Sequence, residues 1–208
     1  MPLLYISGAL NDAEQALCML NAFYPRKRVS VSLRGCGKSE SPSSGYSLDD
    51  HASDIEAAVK ASGLAEYCLM VHSLGVPYAI RFAASHPGVK RPIIGDYPVI
   101  PESCAERMLE RPYMAEKEHM VRGIQKESQQ IDLYEELAVI KLPVLVIRGT
   151  LKDVMLKDDD LQRYKESLQQ IEVTEIEGAG HEYWESSKGS FLKSTNAFLR
   201  KLDDTQIK

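Results

Sequence analysis

The sequence predicts an α/β domain, a mainly parallel sheet of about six strands with helices on both faces. Three observations carry that expectation. Short apolar runs suited to buried strands recur along the 208 residues, and stretches with helical spacing separate them. The loops that follow these runs hold the chain's chemically active side chains, as loops at the carboxyl ends of parallel strands do. The central unit, residues 67–87 (YCLMVHSLGVPYAIRFAASHP), passes from strand to helix through a single serine.

The first apolar run, residues 3–6, breaks at Ser7-Gly8. Asn11 and Asp12 can cap a helix over 13–23. Residues 29–33 alternate Val-Ser-Val-Ser-Leu, a period-two strand signal, and end in a glycine-punctuated loop, 34–39 (RGCGKS). That loop is not a phosphate-binding P-loop, because Ser32 stands where the first glycine is needed. Ser47, Asp49 and Asp50 open a helix running to about residue 61.

Residues 67–71 form the next strand, and Val76, Ala79, Ile80 and Ala83 recur at helical spacing until His86-Pro87-Gly88 ends the helix. Residues 92–95 are another strand, closed by Asp96-Tyr97-Pro98. The segment 99–140 then changes character, with dense charge and helical periodicity over 102–109 and 117–137. It interrupts the alternation as a helical lid inserted before the penultimate strand would. Strand (143–148), loop, acid-started helix (158–169), strand (171–176), loop and last helix (187–201) complete a single domain of residues 1–208.

Hydrophobic residues make up 44% of the chain, enough for one sizeable core. The net charge is −5 with both signs interspersed, which argues against nucleic-acid or anionic-membrane partners. No apolar run has the length of a membrane span, and the N-terminus lacks a signal-peptide layout. Cys18, Cys36, Cys68 and Cys104 lie far apart, so they are expected to be reduced thiols in a cytoplasmic protein, without a zinc site.

A strand that enters a helix through one exposed serine needs a tight turn with small neighbours two residues away. Gly75 meets that need and Val71 does not. Alone, Ser73-x-Gly75 reads equally as a serine capping a helix. The loops after strands supply Ser73, Asp96, Asp153 and His181. A nucleophilic serine needs a base, and the base an orienting acid. Asp153 and Asp96 both follow strands and compete for that last role, while the acids at 158–160 fit a helix N-terminus.

With these pieces in place the sequence resembles the α/β-hydrolase superfamily, in its small serine-hydrolase branch of esterases, lactonases and haloperoxidase-like members. The matching stretches are 4–8 followed by Ala9-Leu10, 32–39 (SLRGCGKS), 71–75 (VHSLG), 142–153 (LPVLVIRGTLKD) and 178–181 (GAGH). The resemblance implies Ser73 as nucleophile, His181 as general base and then acid, and Asp153 as the acid that orients it. It also implies an oxyanion hole from the backbone N–H groups of Leu74 and Ala9, each such donor being worth about 3–4 kcal/mol. It implies no metal or cofactor, and a small ester, lactone or thioester as substrate. A ligand-sensing protein on the same fold is the rival reading.

Departures are Val71 and Val76 in place of glycines, Ser7 in place of a histidine, and the absence of the hairpin that usually precedes the first strand. Without that hairpin, residues 29–33 become an exposed edge open to homodimer pairing. His72 is expected to be a packed neighbour of the nucleophile. His86 suits a helix C-terminus, and His51 and His119 have no supporting context. Met108, Tyr113, Met114, Met120 and Tyr134 are expected to pack the lid or line its pocket.

Overall fold

Residues whose side chains are buried on both sides of a sheet read as unbroken apolar runs, and the strands here show why. In the computed structural model, which describes residues 1–8, 12–99, 117–127 and 131–203, the strands are β1 (Leu3–Ile6), β2 (Arg28–Val31), β3 (Tyr67–His72), β4 (Val89–Gly95), β5 (Val144–Gly149) and β6 (Ile171–Ile176). They form one sheet in the order β2-β1-β3-β4-β5-β6. Every pairing is parallel. Successive residues of a strand face opposite sides. Leu4, Ile6, Leu69, Val71, Val144 and Val146 therefore join one core, while Leu3, Tyr5, Cys68, Met70, Leu145 and Ile147 join another across the sheet.

The helices are α1 (Ala13–Leu20), α2 (Leu48–Ser62), α3 (Gly75–Ala83), α4 (Glu118–Glu127), α5 (Tyr134–Val139), α6 (Asp158–Ser167), α7 (Tyr183–Ser186) and α8 (Lys188–Asp203). Residues of α2 to α6 enter the first core, and residues of α1, α7 and α8 the second. Both expected N-caps form. Asp12 accepts from the Gln15 N–H at 2.7 Å, and Ser47 with Asp50 makes a reciprocal capping box. The helix expected over 13–23 stays α-helical to Leu20 and tightens to a 3-10 turn over Asn21–Phe23. β2 lies at an edge of the sheet formed by the described residues, as expected.

Of the segment 99–140, residues 99, 117–127 and 131–140 are described. The helix expected over 102–109, with Met108, lies outside the described residues, as do Tyr113 and Met114. The stretch 117–137 is divided between α4 and α5. α5 packs on α3 and α6, with Arg81 and Glu136 paired at 3.1 Å and Arg163 3.7 Å over the Tyr134 ring. Leu133 and Leu137 are buried in the first core. The end of the expected lid is thus part of the helical layer, because its apolar positions have the main core to join.

α4, with Met120, Val121 and Ile124 in the first core, also holds the loop that follows β2. Glu127 Oε2 accepts from the Gly45 and Tyr46 N–H groups at 2.9 and 2.7 Å, and Lys117 Nζ donates to the Gly35 carbonyl at 2.9 Å. His119 Nε2 lies 2.8 Å from Ser41 Oγ. Among the described residues no helix is long and apolar enough to cross a membrane.

Candidate active site

β3 ends at His72, α3 begins at Gly75, and the turn between them is Ser73-Leu74. Ser73 has φ 57°, a left-handed backbone that a residue with a Cβ adopts at a cost. Two contacts hold it there. Its N–H donates to the Gly95 carbonyl at 3.0 Å, and its carbonyl accepts from the Val76 N–H at 2.8 Å. The turn leaves no room for side chains at two neighbours. A Cβ on Gly8 would lie 2.8 Å from the Ser73 Cβ, and one on Gly75 would lie 2.9 Å from the Ser7 carbonyl oxygen and 3.0 Å from Val71 Cγ2. Val71 is accommodated because Gly75 cedes the space between them.

Ser73 Oγ lies 3.0 Å from His181 Nε2. His181 comes from the loop after β6, whose path is fixed by the Thr150 and Leu151 N–H groups donating to the Ala179 carbonyl at 2.8 and 3.0 Å. Its side chain is 24% exposed, so the ring is sheltered but reachable. The other ring nitrogen, Nδ1, lies 2.7 Å from Asp96 Oδ2. An Nδ1–H donated to a carboxylate leaves Nε2 with its lone pair toward the serine hydroxyl.

The acid beside His181 is therefore Asp96, and the expectation that Asp153 orients the ring is corrected. Asp96 follows β4 directly and has φ 39°. It is 0% exposed, and its carboxylate also accepts from the Met155 and Leu156 N–H groups at 3.0 and 3.1 Å. Three donors on one buried carboxylate satisfy it as an anion. Asp153 is exposed, and its carboxylate lies against the backbone of Gly180. The physical reason is lateral distance. β4 is adjacent to β3 and β5 is one strand farther, so at about 4.8 Å per strand Asp96 starts nearer Ser73. The turn after β5 then presents backbone N–H groups, not the Asp153 side chain, to the site.

Two further side chains complete the surroundings. His72, 2% exposed, lies beside His181 with ring centroids 4.4 Å apart. Burial pushes its pKa well below the usual histidine value, and the neighbouring His181 adds to that shift. Tyr183, buried near Gly95, is held neutral. Burial raises its phenol pKa well above normal, with Tyr5 and Asp96 adding to the effect. His72 thus packs beside Ser73 as the sequence reading expected, whereas nothing local distinguishes Tyr183 from ordinary packing.

Leu74, expected to donate its N–H to an oxyanion, directly follows Ser73 and precedes α3. Ala9, the second expected donor, lies outside the described residues. Ser7, where a histidine was expected, donates its hydroxyl to the Val31 carbonyl at 3.1 Å and ties the first loop to the edge strand. Among the described residues no three His, Cys, Asp or Glu side chains gather as a metal site would require.

Comparison with known proteins supports the fold. Residues 2–94 match the family described as alpha/beta hydrolase fold. The AB hydrolase superfamily protein YisY of Bacillus subtilis is 25% identical over 198 aligned positions, covering 74% of each chain. N-formylmaleamate deformylase of Pseudomonas putida is 44% identical over 71 residues, which are 33% of this chain and 26% of that enzyme. The crystal structure of E-2-(acetamidomethylene)succinate hydrolase superposes with a TM-score of 0.78 at 20% identity, over 96% of this chain and 91% of that one. With its parallel six-stranded sheet, its strand–serine–helix turn and the superposition on these structures, the chain has the alpha/beta-hydrolase fold, and residues 2–94 are similar to the family of that description.

Proposed function

We propose that this chain is a serine hydrolase that cleaves a small ester, lactone or thioester through an acyl-enzyme intermediate. The observation that carries the reading is the hydrogen-bonded line from Ser73 Oγ through both ring nitrogens of His181 to Asp96. His181 Nε2 takes the serine proton as Oγ attacks the substrate carbonyl carbon. Asp96 steadies the imidazolium that results. The oxyanion is met by the Leu74 N–H, at the N-terminus of α3, with the Ala9 N–H as the second donor that the family resemblance implies. Collapse expels the alcohol or thiol with the proton from His181. A water, deprotonated at the same nitrogen, then attacks the acyl carbon and releases the acid.

Relatives named as a deformylase and an acetamidomethylene-succinate hydrolase support carbonyl hydrolysis as the reaction class. In this reading the lid expected within 99–140 sets acyl preference, while α5 serves as scaffold.

A fluorophosphonate probe followed by a panel of p-nitrophenyl esters tests the proposal. The wild type is expected to be labelled and to turn over at least one short ester, and Ser73→Ala to lose both while remaining folded. Labelling without turnover of any ester or thioester would favour the ligand sensor. Absence of labelling in folded protein would overturn the assignment of Ser73.

A further inference from the structure

The base needs more than two fixed ring nitrogens, because a loop that shifts by an ångström carries both of them away. The structure contains a third restraint, on the backbone. His72 is the last residue of β3, immediately before Ser73. Its Nε2 lies 3.0 Å from the carbonyl oxygen of His181. A carbonyl only accepts, so Nε2 carries the proton and donates it. The other nitrogen, Nδ1, is then a bare lone pair, buried and without a hydrogen-bond partner among the described residues. One polar atom of the ring is left unsatisfied so that the other can hold the base loop.

The surroundings favour one orientation and one charge. Trp184 and Tyr183 meet the His72 ring edge-on, with centroids 4.4 and 5.6 Å away. The backbone of Gly95 lies against its Cδ2 edge, leaving no space for a Cβ there. The titratable groups facing it are His181, whose own charge would oppose a second one, and Tyr183, which stays a neutral phenol. A protonated His72 would also bury an Nδ1–H with no acceptor. The ring is therefore a neutral, single-donor clamp.

We infer that His72 is a positioning residue for the proposed hydrolysis: its Nε2–H, donated to the His181 carbonyl, references the base loop to the same strand that presents the nucleophile. It touches no reacting atom and transfers no proton. The inference rests on the serine-hydrolase reading for its kinetic consequence, but the clamp itself is observable without turnover.

The test compares His72→Gln with His72→Met. Both replace the ring by an unbranched chain of similar length, and only Gln carries a donor near the original Nε2. Expected for Met is a fall in kcat of at least tenfold with KM changed less than about threefold. Its pH–rate profile should differ from that of the wild type. Gln should recover most of kcat and of the profile. An activity-independent arm follows the low-field proton NMR signal of His181 Nδ1–H, expected in wild type and Gln and broadened or lost in Met.

Equal kcat, equal profiles and equal Nδ1–H signals in the two folded variants would overturn the inference and reduce His72 to packing. If Met fails to fold, His72→Leu against His72→Gln makes the same comparison. If the wild type proves inactive toward every ester while the NMR contrast appears, the hydrolase reading has failed and the clamp stands.

Discussion

Two aspartates end up in opposite circumstances at the same end of the sheet. Asp96 leaves its strand in a left-handed turn and is wholly buried, with two backbone donors and a histidine on its carboxylate. Asp153 sits on a longer turn, exposed to solvent. The turn that carries Asp153 is nonetheless essential to Asp96, since the Met155 and Leu156 N–H groups belong to it. One loop thus provides the solvation for an acid supplied by its neighbour. A carboxylate can be identified as the orienting group by what donates to it, and proximity in sequence to a strand end is insufficient.

The largest expected effect falls on the first of the pair. Asp96→Asn should lower kcat/KM by about 10⁴-fold, because the amide can donate to Nδ1 and stabilise the wrong tautomer of His181. Far-UV circular dichroism should show the fold retained. If the loss were under tenfold, the buried acid would not be the orienting one.

Legibility followed the range of the interaction. The strands could be read because burial on both faces leaves runs such as 67–71 apolar, and α1 and α2 because Asp12 and Ser47 cap them within four residues. Ser73 and His181 could be read for the same reason, each carried by its own short context. The choice between Asp96 and Asp153 depends on strand order, which no local pattern contains. The same is true of α5, where Leu133 and Leu137 have helical spacing whether they face a lid or the main core. His72 needed coordinates outright, since its partner is 109 residues away.

Next in size is a hydrogen-bonded carboxylate outside the site. Glu127→Ala leaves the Gly45 and Tyr46 N–H groups without their charged acceptor and should cost about 2 kcal/mol in urea unfolding. A loss below about 0.5 kcal/mol would mean that water replaces it and that α4 is loosely held.

Ser47→Ala removes a cap and should cost about 1 kcal/mol. The hydrogen bond from Ser47 also lowers the pKa of Asp50, with its backbone N–H and Arg34 assisting. A carboxylate whose folded pKa is depressed stabilises the fold above its unfolded pKa, and that contribution is lost as pH falls through the folded value. The stability difference between wild type and Ser47→Ala should therefore shrink below the ordinary carboxylate range, and a difference that grows on acidification would contradict the assignment.

The smallest effect closes the comparison. Asp153→Asn should change kcat/KM less than about twofold, as an exposed side chain with no hydrogen bond to His181 among the described residues. A loss approaching that of Asp96→Asn would restore it as the acid and break the contrast.

The all-parallel sheet bears on how the molecule assembles in time. Parallel neighbours cannot be joined by a tight turn, so even β1 and β2 pair residues 25 positions apart, Leu3 with Arg28. Ser73 and His181 are separated by 108 residues, and His181 and Asp96 by 85. Helical turns close in microseconds, whereas contacts of such separation wait for the loops between them to be ordered. After dilution from denaturant, helical ellipticity should return well before reactivity toward the fluorophosphonate probe. The site is then a late product of folding, and labelling kinetics read out the last stage of assembly.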